Sequence, residues 1–236
     1  AHEVETGTGA LQRPLGVRLA AEALGTAFLL VAVVGSGIMA VNLSRGVGLQ
    51  LLENSCATMG ALIGLILMFG AVSGAHFNPV VTLVDRMFGS ISTRDAGLYV
   101  VAQLVGACAG TMVANVMFEL PVVNVSDHVR SSPALWLSEV VATVGLLLVI
   151  HGCVRTGRAA VVPFAVGLWI AGAYWFTSST TFANPAVTVG RTLSDTFTGI
   201  APSSVPMFVA AQLVGMVVGF GLIRLFYPDP VTKEPS

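Results

Sequence analysis

Two Asn-Pro pairs, Asn78-Pro79 and Asn184-Pro185, are the residues whose type and spacing most clearly suggest a site. They stand 106 residues apart, and each opens a short apolar segment, 77–84 and 182–190. Asn is a preferred helix N-cap and Pro a preferred first helical residue, so each pair predicts the start of a short helix. The capping Asn accepts through its side-chain oxygen and keeps its NH2 group as a donor. The pairs therefore predict paired donors for an oxygen-bearing solute, and a role as caps alone is the alternative.

Two acidic residues repeat in the same way within apolar stretches. Glu22 lies in the first stretch and Glu139 in the fourth, and the pentapeptide Ala-Gln-Leu-Val-Gly around Gln103 recurs around Gln212. A carboxyl group at membrane depth is costly and functional by default. The two Glu residues are either proton carriers or acceptors for the irregular backbone that leads into each short helix. Their symmetric placement favours the second, structural role.

The composition places these residues in a membrane. Of 236 residues, 55% are hydrophobic and 10% are charged, and the mean hydropathy is +0.85. Soluble domains carry about 25% charged residues. The net charge of −1 without a basic run argues against a nucleic-acid partner. The three cysteines are widely separated, and no zinc, nucleophile or other enzyme motif is present in the sequence, which predicts no metal, no cofactor and no enzyme activity.

The chain divides into two similar halves. Six stretches are long and apolar enough to span a bilayer: 19–41, 54–72, 97–118, 135–154, 159–177 and 206–227. We predict tails at 1–14 and 228–236, repeats at 15–119 and 134–227, and an extracellular connection at 120–133. Three spans in each repeat is an odd number, so the second repeat must be inverted relative to the first, an arrangement that points to a solute site at the midplane.

The two short segments are too short to cross the membrane alone. Nine residues at 1.5 Å rise extend about 13 Å, so two such helices end to end fill a hydrocarbon core of about 30 Å. The predicted fold is therefore an all-α membrane protein with six transmembrane helices and two half-helices that meet at the midplane, in an inverted repeat of three plus three.

Basic residues predict the orientation. With a cytoplasmic N-terminus, eight basic residues face inward and three face outward. The inward group is Arg13, Arg18, Arg86, Arg94, Arg155, Arg158, Arg224 and Lys233, and the outward group is Arg45, Arg130 and Arg191. Both termini are predicted to be cytoplasmic, in the inner (plasma) membrane of a bacterium.

Together these residues resemble the aquaporin, or major intrinsic protein, family over roughly 15–227. The resemblance rests on Ser-Gly-Ala-His-Phe-Asn-Pro-Val, residues 73–80, and Phe-Ala-Asn-Pro-Ala, residues 182–186, together with the Glu and Gln repeats. The first box ends in Val80 where the family usually has Ala, and the second keeps Ala186. The resemblance implies a passive channel that forms homotetramers in the lipid bilayer, with one pore per subunit and His76 along its cytoplasmic half.

The resemblance also implies a selectivity filter of four residues. Counting from the two Asn residues places it at Thr58, Gly172, Thr181 and Val187. Val187 stands where the family has Arg, which predicts a wide, uncharged filter and resembles bacterial aquaglyceroporins associated with arsenic detoxification. The implied solutes are water, glycerol-like polyols, arsenous acid and methylated arsenicals. The alternatives are a strict water channel and a proton-coupled transporter that uses Glu22 and Glu139.

Charged residues follow each short helix. Arg191 lies four residues after Val187, so it falls on the same face about 6 Å further out. It either restores positive charge at the outer vestibule and recruits oxyanions, or it is a structural residue, in a salt bridge such as one with Asp195 or as a snorkelling anchor, and we favour a structural role. Asp85, beside Arg86 at the cytoplasmic mouth, is its counterpart in the first repeat. Opposite charges at the two mouths would bias entry, but we favour a local ion pair for Asp85.

Overall fold

The computed structural model describes residues 13–228, and this part of the chain is helical. Its α-helices are α1 (Leu15–Leu43), α2 (Val47–Ser73), α3 (Pro79–Met87), α4 (Thr93–Met117), α5 (Pro133–Arg155), α6 (Val162–Phe176), α7 (Pro185–Gly190) and α8 (Val205–Phe226). The predicted tails, 1–14 and 228–236, lie outside the described residues except for residues 13, 14 and 228.

Six of these helices are long and apolar enough to span a membrane, which confirms the predicted fold class. Several of them begin before the apolar stretch that predicts them. In α4, Ser92 caps the helix by accepting from the backbone N–H of Asp95, so the first turn is polar. Arg18 of α1 donates to the Asp95 carboxylate at 2.6 Å, which stabilises this polar end. Capping and ion pairing therefore extend the helices into the interfacial layer.

Long helices pack in equivalent pairs in the two repeats, α1 against α4 and α5 against α8. Glycine allows the close approach. A Cβ atom on Gly106 of α4 would stand 2.1 Å from the carbonyl oxygen of Ala23, and one on Gly215 of α8 would stand 2.9 Å from that of Val140. Small residues at helix contacts are typical of membrane bundles. The repeat seen in the sequence is thus a repeat of helix packing.

The outer faces of the long helices carry large exposed apolar side chains. These include Leu67, Val101, Leu137, Leu168, Val217 and Leu225, each more than half exposed. The polar residues of the same helices are mostly buried inward. This distribution is the reverse of a soluble protein and suits contact with lipid or with another subunit.

Candidate pore

The two half-helices begin at the Asn residues of the Asn-Pro pairs. Asn78 caps α3 by accepting from the backbone N–H of Val80 at 3.0 Å. Asn184 caps α7 by accepting from the N–H groups of Ala186 at 2.9 Å and Val187 at 3.2 Å. Pro79 and Pro185 each occupy the first helical position, where the missing N–H costs nothing.

The N-termini of α3 and α7 face each other across the centre of the molecule. The Asn78 Nδ2 donates to the carbonyl oxygen of Ala183 at 2.8 Å, and the Asn184 Nδ2 donates to that of Phe77 at 2.8 Å. One N–H of each amide is therefore used to join the repeats, and one remains for a solute. The sequence alone predicts that both N–H groups of each Asn amide are free, so the structure halves the number of donors available to a solute.

The chain enters each half-helix through an irregular loop with left-handed residues. Ala75 and Phe77 have φ of 49°, and Thr181 and Ala183, their equivalents in the second repeat, have φ of 54° and 47°. Such a conformation costs roughly 1–3 kcal/mol for a residue with a side chain and persists only where the surroundings impose it. Both loops therefore need strong support.

Glu22 and Glu139 supply that support. The Glu22 carboxylate accepts from Ser73 Oγ, from Gln103 Nε2 and from two backbone N–H groups, at 2.6–3.0 Å. The Glu139 carboxylate accepts from the equivalent groups of Ser179, Phe182, Ala183 and Gln212 at 2.6–2.9 Å. Both carboxylates are fully buried. With four donors on each, they act as acceptors that fix the loops.

The two Gln side chains link each carboxylate to its half-helix. Gln103 also donates to Thr82 Oγ1 of α3 at 3.0 Å, and Gln212 donates to Thr188 Oγ1 of α7 at 2.9 Å. One Gln thus joins a long helix, a buried acid and a half-helix in each repeat.

A cavity of about 700 Å³ runs along the half-helices and is lined by residues of both repeats. Asn78 and Asn184 lie on its wall. His151 and Arg155 lie at one end, which we call the His151 end, and Arg191 lies toward the other, which we call the Arg191 end. Val80, Pro79, Pro185 and Ala186 are buried and contribute to the helix starts rather than to the wall.

Three of the four predicted filter residues line this cavity together: Thr58, Thr181 and Val187. Each is at most 6% exposed. Thr58 Oγ1 lies 3.1 Å from the hydroxyl of Tyr174, which also lines the cavity. Tyr174 therefore lies beside Thr58 on the cavity wall.

The prediction for Gly172 is wrong. Gly172 is exposed on the outer side of α6, whereas Ile170 and Tyr174 are buried and line the cavity. Two residues along a helix correspond to a rotation of about 200°, so Gly172 must face away from both. The cavity wall thus has an aromatic ring beside Thr58 that the sequence did not predict.

Hydroxyl groups at the filter have restricted roles. Thr177 Oγ1 donates to the Ala173 carbonyl at 2.6 Å, so Thr181 Oγ1, 2.9 Å away, must donate to Thr177 and can only accept from a solute. Of Thr58 and Tyr174, one donates to the other, which leaves one hydroxyl proton for the cavity. The filter offers one donor, several acceptors and the apolar surface of Val187.

The His151 end carries an acid between two imidazoles. Asp85 Oδ2 lies 2.9 Å from His76 Nε2, and Asp85 Oδ1 lies 3.8 Å from His151 Nε2. All three residues line the cavity. The local partner of Asp85 is thus His76 and not the adjacent Arg86, which donates to Thr93 Oγ1 at 2.6 Å. His151 was not among the predicted site residues, because nothing in its local sequence marks it as inward-facing.

Arg191 is buried at the other end, with 3% of its surface exposed. Its Nε donates to the Thr198 carbonyl, and its guanidinium lies 3.5 Å from the centre of the Phe182 ring. Asp195 accepts instead from Ser126 Oγ and the Asp127 N–H, each at 3.2 Å. The expected salt bridge between Arg191 and Asp195 is therefore wrong.

Known proteins share this arrangement. The model of the major intrinsic protein family matches residues 14–181. Aquaglyceroporin AqpS of Rhizobium meliloti is 50% identical over 221 residues, which are 93% of this chain and 94% of that protein. Aquaporin Z of Rhodopseudomonas palustris is 29% identical over 89% of this chain and 93% of its own.

A solved structure has the same fold. The X-ray structure of the aquaglyceroporin from Plasmodium falciparum superposes with a TM-score of 0.69 at 19% identity, over 89% of this chain and 96% of that one. The family match covers more than half of the sequence, and two capped half-helices meet beside one continuous cavity. The chain belongs to the major intrinsic protein family, the aquaporins.

Proposed function

We propose that this chain is a passive channel for water and small neutral solutes, with a filter that admits glycerol-like polyols and metalloid acids such as arsenous acid and methylated arsenicals. The observation that carries the proposal is the side chain at position 187. Val187 lines the same cavity as Thr58, Tyr174 and Thr181, and none of these four residues carries a charge.

The chemistry of the filter suits a polyol. A polyol has an apolar carbon face and a face of hydroxyl groups. Val187 and the ring of Tyr174 provide apolar surface, while Thr58 and Thr181 provide hydrogen-bonding oxygens. A solute that both donates and accepts exchanges its water shell for these groups at little cost. The name of the relative AqpS, an aquaglyceroporin, agrees with this solute class.

Passive conduction follows from the state of the two buried acids. Glu22 and Glu139 each accept four hydrogen bonds, and proton carriage requires that such bonds break at every turnover. Breaking one hydrogen bond to a buried charge costs about 1.5–3 kcal/mol. The facing N-termini of α3 and α7 also present positive dipole ends that oppose cations at the midplane.

Reconstitution into proteoliposomes tests the proposal by stopped-flow light scattering. The wild type should shrink in a glycerol or arsenous acid gradient and then reswell rapidly. Val187→Arg introduces a long cationic side chain into the filter and should suppress reswelling more than water flux. Val187→Leu is the matched control, since it adds bulk without charge. Equal loss of water and glycerol flux in Val187→Arg contradicts this role of Val187, and a wild type that shrinks without reswelling is a strict water channel.

Assembly and placement belong to the same proposal. We expect a homotetramer in the inner membrane of a bacterium, with the His151 end and both termini in the cytoplasm. The exposed apolar helix faces and the eight-to-three distribution of basic residues support this arrangement. Native mass spectrometry from detergent should give a tetramer. A reporter fused to the C-terminus that is active in the periplasm would contradict the orientation.

A further inference from the structure

Arg191 is a buried cation without an anionic partner. It is 3% exposed, and the ion pairs found between residues 13 and 228 do not include it. Its Nε is held by the Thr198 carbonyl, which is neutral. The nearby Glu139 carboxylate is occupied by its own four donors. A buried charge is usually paired, because desolvation without a partner is costly.

The terminal nitrogens of Arg191 remain available. Neither Nη1 nor Nη2 donates to a group of the described chain. Both atoms keep some surface accessible to water, whereas Nε and Nη1 of Arg18 are fully buried without a partner. Arg191 lines the cavity one helical turn beyond Val187. The two free nitrogens form a planar fork, the geometry that Arg uses to bind two oxygens of an oxyanion.

The surroundings hold this fork rigid. The Phe182 ring lies under the Arg191 guanidinium at 3.5 Å, and Arg130 lies near the same ring at 5.4 Å. Arg130 is itself fixed, because its Nε donates to the Gly199 carbonyl at 2.8 Å. A cation stacked on a ring and bonded through Nε loses little further freedom when its Nη atoms bind a ligand.

The electrostatics of this end are positive. Burial and the charges of Arg130 and Arg191 lower the pKa of His128, so its imidazole stays neutral at pH 7. Asp127 and Asp195 also lie near His128 and oppose this effect, but their charges act on it less strongly than those of the two Arg residues. The cavity acid Asp85 lies at the opposite end with His76 and His151. An anion that enters the Arg191 end therefore meets the Arg191 guanidinium on the cavity wall, with the positive charge of Arg130 behind it.

We propose that Arg191, stacked on Phe182, forms an oxyanion-binding subsite in the vestibule outside the filter, which takes small singly charged oxyanions. The subsite rests on the proposed function only in that the vestibule leads into the pore. A bound anion stands in the path of neutral solutes, so occupancy slows their passage. We do not expect the anion to cross the filter, because the filter residues carry no charge that would compensate its own.

Methanesulfonate is a suitable probe, because it is a small permanent monoanion, and dimethyl sulfone is its neutral analogue of similar size. Thermal unfolding of the detergent-purified protein measures binding without any flux. Methanesulfonate should raise the unfolding temperature of the wild type in a saturable way, and dimethyl sulfone should not. Arg191→Gln should weaken this binding by about tenfold or more, as expected for loss of a charge-assisted fork.

Matched variants locate the effect. Arg155→Gln changes an Arg at the opposite end of the cavity and should keep the response to methanesulfonate. Arg191→Lys keeps the charge without the fork and should bind methanesulfonate several-fold more weakly than the wild type. This variant also tests the proposal if Arg191→Gln does not fold. A response that Arg191→Lys retains in full, or that Arg155→Gln abolishes, overturns the proposal.

Flux supplies the second measurement. Methanesulfonate should slow glycerol reswelling in wild-type proteoliposomes but not in Arg191→Gln. If the wild type does not conduct glycerol but still shows the thermal response, the solute proposal fails and the subsite stands. If glycerol passes and methanesulfonate changes neither the unfolding temperature nor the rate, the subsite fails alone.

Discussion

Replacing Glu139 by Gln tests whether the buried acids are structural. Each carboxylate oxygen accepts two donors: Ser179 Oγ and the Phe182 N–H on Oε1, and the Ala183 N–H and Gln212 Nε2 on Oε2. An amide replaces one oxygen with an NH2 group, which then faces donors. The better orientation puts NH2 at the Oε1 position, because the Ser179 hydroxyl can rotate to accept from it.

The structure sets the size of the effect. In that orientation the Phe182 N–H loses its acceptor, and the other three bonds change from charged to neutral. Hydrogen bonds to charged groups contribute about 1.5–3 kcal/mol and neutral ones about 0.5–1.5 kcal/mol, so one lost bond and three weakened bonds together remove roughly 4.5–7.5 kcal/mol. For a chain of this size, that loss lowers the unfolding midpoint by roughly 10–30 °C.

The assay is thermal unfolding in detergent, followed by flux at a temperature where the variant is folded. Glu53→Gln is the control, since the Glu53 carboxylate accepts from Ser44 Oγ at 2.6 Å, a bond that an amide oxygen can also accept. It should shift the midpoint by only a few degrees at most. A Glu139→Gln protein of unchanged stability whose transport gains or loses dependence on a proton gradient would refute the structural role.

Three other substitutions have defined outcomes. Gly106→Ala puts a Cβ 2.1 Å from the Ala23 carbonyl oxygen and should lower the unfolding midpoint by several degrees, whereas Gly16→Ala, with open space around it, should not. Tyr174→Phe removes a hydroxyl from the filter and should reduce glycerol flux relative to water flux, with stability nearly unchanged; an unaltered ratio would mean that the hydroxyl does not contact the solute. Asn184→Asp places a carboxylate against the Phe77 carbonyl and should admit cations or prevent folding, and an unchanged solute profile would place Asn184 outside the pore.

The parts of this fold that the sequence predicts are those with local signals. The Asn-Pro pairs specify their own helix starts because cap and first turn are adjacent in the chain. The roles of Glu22 and Glu139 follow from symmetry, since two equal acids at equivalent positions suit two equal loops. The αL residues Ala75 and Phe77 have no such signal, because neither is Gly, and the carboxylate far away in sequence imposes their conformation.

The parts that it misses depend on connection lengths and on contacts distant in sequence. The position of Gly172 comes from a count along the chain, and a count that is off by two residues points about 200° away on a helix, to the face opposite Tyr174. The spacing of Val166, Ile170 and Tyr174, one residue every turn on one face, is a signal that favours Tyr174. No local pattern tells whether Arg191 pairs with Asp195, since Asp195 is held by residues near position 126.

The two repeats share their scaffold but not their charges, and this difference bears on function. Asp85 and Arg191 each lie seven residues after the Asn of their half-helix, at opposite ends of one cavity. The hydrogen-bond networks around Glu22 and Glu139 are equivalent, so the scaffold itself creates no difference in charge between the two ends of the pore. The difference in charge comes from these two side chains, one acidic and one basic. Arg191 makes no hydrogen bond to either network in the described part of the chain, whereas Asp85 contacts the Glu22 network only through His76, whose Nε2 lies 2.9 Å from Asp85 Oδ2. The scaffold can therefore stay fixed while residues at the far ends of the half-helices set which charges approach the filter.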